Sequence, residues 1–109
     1  MAEHDVKVEK LQSLEQVMQN TLMQKQTFQT QLTEVENALS EVKKSNSNPF
    51  KIIGGIMVEM NKEEVEKELS EKKDMSELRI KTLEKQESKT TDEIKVIQEE
   101  VVNELKKEK

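Results

Sequence analysis

The chain has 109 residues, of which 32% are hydrophobic and 38% are charged, with a net charge of −5 and two aromatic side chains. This composition is too polar for a large globular core but suits long helices, whose periodicity argues against disorder. The acidic balance argues against binding to nucleic acid or to anionic membranes, and the lack of cysteine excludes disulfides and thiolate metal sites.

The first predicted element is a helix over residues 5–44, a stretch without glycine or proline. Taking Leu11 as heptad position a gives a seam in which eight of ten positions are apolar, which predicts a coiled coil. The seam consists of Leu11, Leu14, Met18, Thr21, Lys25, Phe28, Leu32, Val35, Leu39 and Val42. The helix is expected to end before Pro49, which has no backbone donor and restricts the residue that precedes it.

The second predicted element is a β-hairpin over residues 50–60, with the Gly54-Gly55 pair as its two-residue turn. In that register Ile53 faces Ile56 and Ile52 faces Met57, so both faces of the hairpin are apolar. A lone hairpin is marginally stable and has unpaired edges, and no other segment reads as a strand. We therefore expect the missing strands to come from other chains.

The third predicted element is a helix over residues 62–106, which Asn61 and Glu64 begin as a variant capping box. Its seam is less regular than that of the first helix. Apolar seam positions are Leu69, Ile80, Leu83, Ile94, Ile97 and Val101, and the polar interruptions are Lys73, Ser76, Glu87 and Thr90. The predicted fold class is mainly α, an antiparallel two-helix coiled coil joined by a single β-hairpin.

Enzymatic chemistry has little support in the sequence. His4 is the only histidine and stands near a terminus, without partners held beside it. The glycine pair lacks the spacing and the Lys-Ser/Thr of a phosphate loop, and the carboxylates near Glu63 have the spacing of a solvated helix face. We expect no catalytic residue, no cofactor and no metal site.

Two stretches carry a resemblance to a known family: the hairpin at residues 51–59 and the segment Leu78-Arg-Ile-Lys-Thr-Leu-Glu-Lys-Gln-Glu87. Together with the helix–hairpin–helix order, they make the chain similar to the beta subunits of archaeal prefoldin over nearly its whole length. The single hairpin is informative, because alpha-type subunits of that family carry two. The polar segment 88–92 departs from the charged helix formers usual there.

The resemblance implies one prefoldin-like domain over residues 1–109, in a hexamer of two alpha and four beta subunits. The hairpins would assemble into an intersubunit double β-barrel, from which the coiled coils extend. Such complexes hold unfolded proteins at the coil tips without nucleotide and pass them to a group II chaperonin. The implied oligomer interface comprises Phe50, Ile52, Ile53, Gly54, Gly55, Ile56, Met57, Val58 and Met60.

The coil end that carries both termini is the predicted client-binding site. Its apolar residues are Val6, Val8, Leu11, Leu14, Ile97, Val101, Val102 and Leu105. Four of them fall outside the heptad seam, so helix pairing would leave apolar surface for clients. The alternative is that these residues only close the end of the coil or are disordered.

Two other functions stay open on the sequence alone. The first is a coiled-coil scaffold or tether that assembles through its hairpin and holds one specific partner. The second is a helical arm that binds RNA, which the acidic balance disfavours. No segment resembles a signal core or a membrane span, so we expect a cytoplasmic protein.

Overall fold

The chain folds into two long helices joined by a short antiparallel hairpin, as the sequence predicts. The structure, a computed structural model, describes residues 3–107, with side-chain surroundings for residues 5–107. Its elements in chain order are α1 (Glu3–Lys44), β1 (Phe50–Ile53), β2 (Ile56–Glu59) and α2 (Lys62–Lys107). The polar segment 88–92 does not interrupt α2.

The start of α2 is fixed by a side-chain cap. The Asn61 Oδ1 atom accepts hydrogen bonds from the backbone N–H groups of Glu63 at 2.9 Å and of Glu64 at 3.2 Å. These two donors have no partner within the helix, so the cap satisfies them. The carboxylates of the same two residues also lie in the first turn, where negative charge complements the helix dipole.

The end of α1 and the start of α2 are joined through Lys62. Its ammonium donates a hydrogen bond to the backbone carbonyl of Ser45 at 2.7 Å and approaches that of Lys43 at 3.5 Å. Carbonyls at the end of a helix have no intrahelical partner, and a cation there also complements the helix dipole. The side chain thus holds the two helix ends together beneath the hairpin.

The hairpin has the register that its sequence predicts. Ile53 pairs with Ile56 and Ile52 with Met57, while Lys51 and Phe50 complete the ladder with their partners on β2. Gly54 and Gly55 have φ values of 56° and 81°, and positive φ at both turn residues is the signature of the tight hairpin turn.

Pro49 extends the pairing of the hairpin strands by one backbone hydrogen bond. Pro49 has no N–H to donate, but its carbonyl accepts a hydrogen bond from the Met60 N–H at 2.9 Å. The two chain segments therefore stay paired as far as Met60, the residue before the Asn61 cap of α2.

The described chain divides into two compact units. The hairpin unit covers residues 27–80 and contains the hairpin with the helix segments that flank it. The terminal unit covers the described parts of residues 1–26 and 81–109. Within the terminal unit the helix segments are antiparallel, because Lys7 pairs with Glu104 near one end and Lys25 pairs with Glu87 near the other.

The core of each unit is the heptad seam. Every seam position predicted on both helices is buried or half-buried, including the polar interruptions of α2. The core is nevertheless thin, since the buried apolar side chains among the described residues are Leu39, Ile80, Leu83 and Ile97, and each of them keeps 6–9% of its surface exposed. A two-helix pair has one buried stripe per helix, and the remaining faces are left to solvent.

Candidate functional site

The hairpin presents apolar side chains to solvent on both of its faces. Cross-strand partners share a face, so one face carries Ile53, Ile56 and Val58 with Lys51, and the other carries Phe50, Ile52 and Met57 with Glu59. Exposure is 74% for Ile52, 69% for Met57 and 59% for Phe50. Val58 and Met60 are half-buried, and both turn glycines are exposed. We call the predicted interface residues of this segment the hairpin surface.

The hairpin surface also has free backbone edges. Its sheet has two strands within the part of the chain that the structure describes, so the outer edges of both β1 and β2 lack a strand partner there. Unpaired N–H and C=O groups along an edge are a template for another strand. Exposed apolar faces and open edges together give the hairpin surface the features of a site for strand pairing.

One ion pair joins the hairpin to α2 within the hairpin unit. The Lys51 ammonium lies 3.1 Å from the Glu68 carboxylate, and Lys72 lies 3.5 Å from the same oxygen. The hydrogen bond from Lys51 lowers the pKa of Glu68 below its ordinary value, and Lys72 acts in the same direction more weakly. The pair links the face of the hairpin that carries Ile53 to the helix.

The terminal unit exposes four apolar side chains near its end. They are Val6, Val8, Val102 and Leu105, with exposures of 51%, 39%, 48% and 47%. We call these four residues the terminal patch. Lys7 bonds Glu104, so the residues that flank these two side chains lie at the same end of the unit. The patch consists of the predicted client-binding residues that fall outside the heptad seam.

The other residues predicted to bind clients are less accessible. Leu11, Leu14 and Val101 are half-buried, because they occupy seam positions. Ile97 is buried, with 7% of its surface exposed. In the paired conformation Ile97 belongs to the core and exposes little surface.

A polar cluster lies among the apolar residues of the terminal patch. The Lys7 ammonium hydrogen-bonds the Glu104 carboxylate and lies 3.5 Å from Glu100. The hydrogen bond to Glu104 raises the pKa of Lys7, and the charge of Glu100 adds to that effect. The cluster fixes the pairing of the helix segments at this end and leaves the valines beside it exposed.

A second polar cluster occupies the seam of the terminal unit. Lys25 and Glu87 pair at 3.0 Å, and the bond to Glu87 raises the pKa of Lys25. Thr21 and Thr90 are buried at 2% and 5% exposure. The Thr21 hydroxyl donates to the Val17 carbonyl at 2.8 Å, so its burial leaves no unpaired polar atom. We call these four seam residues the polar layer.

Sequence reasoning missed some features that the structure reveals. The pairing of Lys25 with Glu87 was not predicted, although opposite charges at two seam positions were a usable signal. The pairing of Lys51 with Glu68 was not predicted either. Val96 was also overlooked, yet it is 54% exposed.

Catalytic or metal chemistry has no support from the described residues. No group of three or more His, Asp or Glu side chains in the part that the structure describes is placed to hold a metal ion. The His4 side chain lies outside the described surroundings. None of the described helices is long and apolar enough to cross a membrane.

Comparison with known proteins assigns the chain to a family. The sequence model of the prefoldin subunit family matches residues 5–108. The chain belongs to the prefoldin subunit family. Among its relatives is prefoldin subunit beta of Archaeoglobus fulgidus, 38% identical over 98 residues that cover 88% of this chain and 84% of the relative. Prefoldin subunit beta of Pyrobaculum islandicum is 33% identical, over 90% of this chain and 80% of the relative.

The fold agrees with a solved prefoldin as well. The crystal structure of the prefoldin beta subunit from Thermococcus strain KS-1 matches with a TM-score of 0.89 and 29% identity, covering 96% of this chain and 94% of that one. The resemblance noted in the sequence is thereby confirmed. Prefoldin is a family of chaperone subunits and not of enzymes, and its members assemble with other prefoldin subunits.

Proposed function

We propose that this prefoldin subunit acts as a nucleotide-independent holdase in the cytoplasm. Its hairpin joins those of an alpha-type subunit and further beta subunits in a hexamer of two alpha and four beta chains, within an intersubunit β-barrel. The terminal patch captures unfolded proteins, which the complex then delivers to a group II chaperonin. The exposure of the four apolar side chains of that patch is the observation that carries the proposal.

The terminal patch has the chemistry that such capture requires. Apolar contacts are non-directional, so a few exposed valines bind unrelated sequences without selecting a shape. Each contact is weak, but several patches on one assembly engage one client chain together, and the joint affinity then exceeds that of any single patch. The charged helix faces around the patch keep one coiled coil from associating with another.

Assembly is tested first, by light scattering on the full chain alone and co-expressed with an alpha-type prefoldin subunit. We expect one discrete species of hexamer mass when both are present, because the hairpin surface then acquires strand partners. A chain that stays monomeric in both samples would contradict the assembly role of the hairpin.

Client capture is tested with the assembled complex and a chemically unfolded model protein diluted into buffer. A quadruple variant with Val6→Ser, Val8→Ser, Val102→Ser and Leu105→Ser should assemble normally and lose most of its suppression of aggregation. The control variant carries Val17→Ser and Leu22→Ser, two similarly exposed apolar positions outside the patch. Equal protection by the quadruple variant would contradict a role for the patch, and a wild-type complex that ignores unfolded proteins would favour the tether.

A further inference from the structure

Val96 on α2 is an exposed apolar residue whose neighbours on the helix surface all carry negative charge. On a helix the nearest surface neighbours of a residue lie three and four positions away in each direction. For Val96 these four neighbours are Asp92, Glu93, Glu99 and Glu100, and all of them are carboxylates. We call them the acidic collar of Val96.

No other exposed apolar position on the described helices has such a collar. At Met75, for example, the corresponding neighbours are Glu71, Lys72, Leu78 and Arg79, which include both charge signs and a leucine. Each exposed apolar residue of α1 has at most two carboxylates among the corresponding neighbours, as Val6 has in Glu3 and Glu9. The collar is therefore particular to one place in the terminal unit.

A groove lies beside Val96 between the helix segments of the terminal unit. It has a volume of about 370 Å³ and is lined by Lys10, Asp92, Glu93, Val96, Ile97 and Glu100. The volume is at the small end of the range for ligand sites and leaves room for an aliphatic side chain of a bound peptide. Its apolar floor comes from Val96 and the edge of the buried Ile97, and its rim is mostly acidic.

The charges of the rim are incompletely neutralised. Among the described residues Glu100 has an ion-pair partner, Lys7 at 3.5 Å, while Asp92 and Glu93 form no ion pair there. Lys10 is the single cation that lines the groove. An apolar floor within a rim of surplus negative charge is complementary to an apolar side chain flanked by cations.

We propose that this groove binds client segments in which an aliphatic side chain has lysine or arginine neighbours. The aliphatic group lies against Val96 while the cations pair with Asp92 and Glu93. The inference rests on the proposed holdase function and adds a client class to it: among unfolded proteins, the complex prefers basic-apolar segments over acidic-apolar ones of equal hydrophobicity. The terminal patch supplies affinity without charge preference, and the groove supplies the preference.

The test uses the full-length assembled complex and three fluorescent unstructured peptides of equal length and equal leucine content. Their remaining positions are lysine in the first, serine in the second and glutamate in the third. We expect the lysine peptide to bind most tightly, with a preference that weakens as salt concentration rises. The variant D92N/E93Q should weaken binding of the lysine peptide by roughly 3- to 10-fold, as expected for two partly exposed ion pairs.

Two further variants separate the groove from other effects. The control E71Q/D74N removes the same charge from exposed positions of α2 in the hairpin unit and should leave all three affinities unchanged. The variant V96S should weaken the lysine and serine peptides alike, because both lose the apolar contact. Circular dichroism of each variant confirms that helix content is retained.

The possible results distinguish this inference from the holdase proposal. Binding of all three peptides with equal affinity would overturn the inference and leave the holdase function intact, whereas no binding of any peptide would overturn both. A lysine preference that survives D92N/E93Q would place the effect elsewhere and would also overturn the inference.

Discussion

Lys25 of α1 and Glu87 of α2 form an ion pair at seam positions of both helices, with the Nζ and Oε2 atoms 3.0 Å apart. A coiled-coil seam is normally apolar, and charged residues there lower stability but restrict the helices to one alignment. Buried Thr21 and Thr90 extend the same polar layer. The helix alignment in the terminal unit thus depends on a specific contact as well as on hydrophobic burial.

The polar layer predicts a charge-swap result. The variant K25E places two carboxylates together in the seam, so the melting temperature of the isolated chain should fall, by about 4–8 °C for each kcal/mol of destabilisation. The double variant K25E/E87K restores the opposite charges and should recover most of that loss. Thermal unfolding followed by circular dichroism measures both, and additive losses in the double variant would show that the two side chains do not interact.

The Lys51–Glu68 pair predicts a loss of stability in acid. Glu68 has a pKa below its ordinary value of 4.5 in the folded chain, so its contribution is fully present above that value and is lost as pH falls through the folded pKa. Urea midpoints of wild type and E68Q, measured from neutral pH to below pH 4.5, should converge in acid. A constant difference between them would mean that the ionised pair contributes nothing.

The Asn61 cap predicts the cost of one substitution at the helix start. Replacing it in the variant N61A leaves the N–H groups of Glu63 and Glu64 without their side-chain acceptor and should destabilise the chain by about 1 kcal/mol. The variant N61D keeps an acceptor at the same place and should retain wild-type stability. Urea unfolding of the two variants in parallel decides the matter: equal losses would exclude the cap as the cause.

The hairpin turn predicts that alanine at Gly55 destabilises the turn and that asparagine at Gly54 is tolerated. At Gly55, with φ of 81°, the variant G55A should cost about 1–2 kcal/mol, because a side chain disfavours left-handed backbone. No atom lies within 4 Å of an added Cβ, so strain in the backbone and not a clash is the cause. The variant G54N should be tolerated, since Asn-Gly is a preferred pair in this turn. The yield of assembled complex in light scattering reports both, and equal yields for G55A and wild type would contradict the prediction.

The hairpin surface predicts where a single charge disrupts assembly. Ile52 is 74% exposed, so the variant I52D should leave the isolated chain folded but prevent the discrete oligomer, because a carboxylate would be buried in the proposed interface. The matched control L22D places the same charge at an exposed leucine of α1 and should assemble normally. Light scattering with circular dichroism tests both, and a normal I52D oligomer would remove the hairpin face from the interface.

Local signals in the sequence determined the elements of this chain. All seam positions that heptad spacing predicted are buried or half-buried, Asn61 predicted the start of α2, and the Gly54-Gly55 pair predicted the hairpin register. These signals are readable because each depends on residues within a few positions of one another, where helix, cap and turn geometry are set by local stereochemistry.

Tertiary structure decided which surfaces remain available and which distant charges meet. The heptad pattern placed Val6, Val8, Val102 and Leu105 outside the seam, but the packed structure fixed how much of each is exposed, from 39% to 51%. The Lys25–Glu87 contact spans 62 positions of sequence, and the groove beside Val96 needs Lys10 from the other helix. Such features depend on the rotation and alignment of one helix against another, which no local pattern specifies, because side chains distant in sequence meet only once the helices have packed.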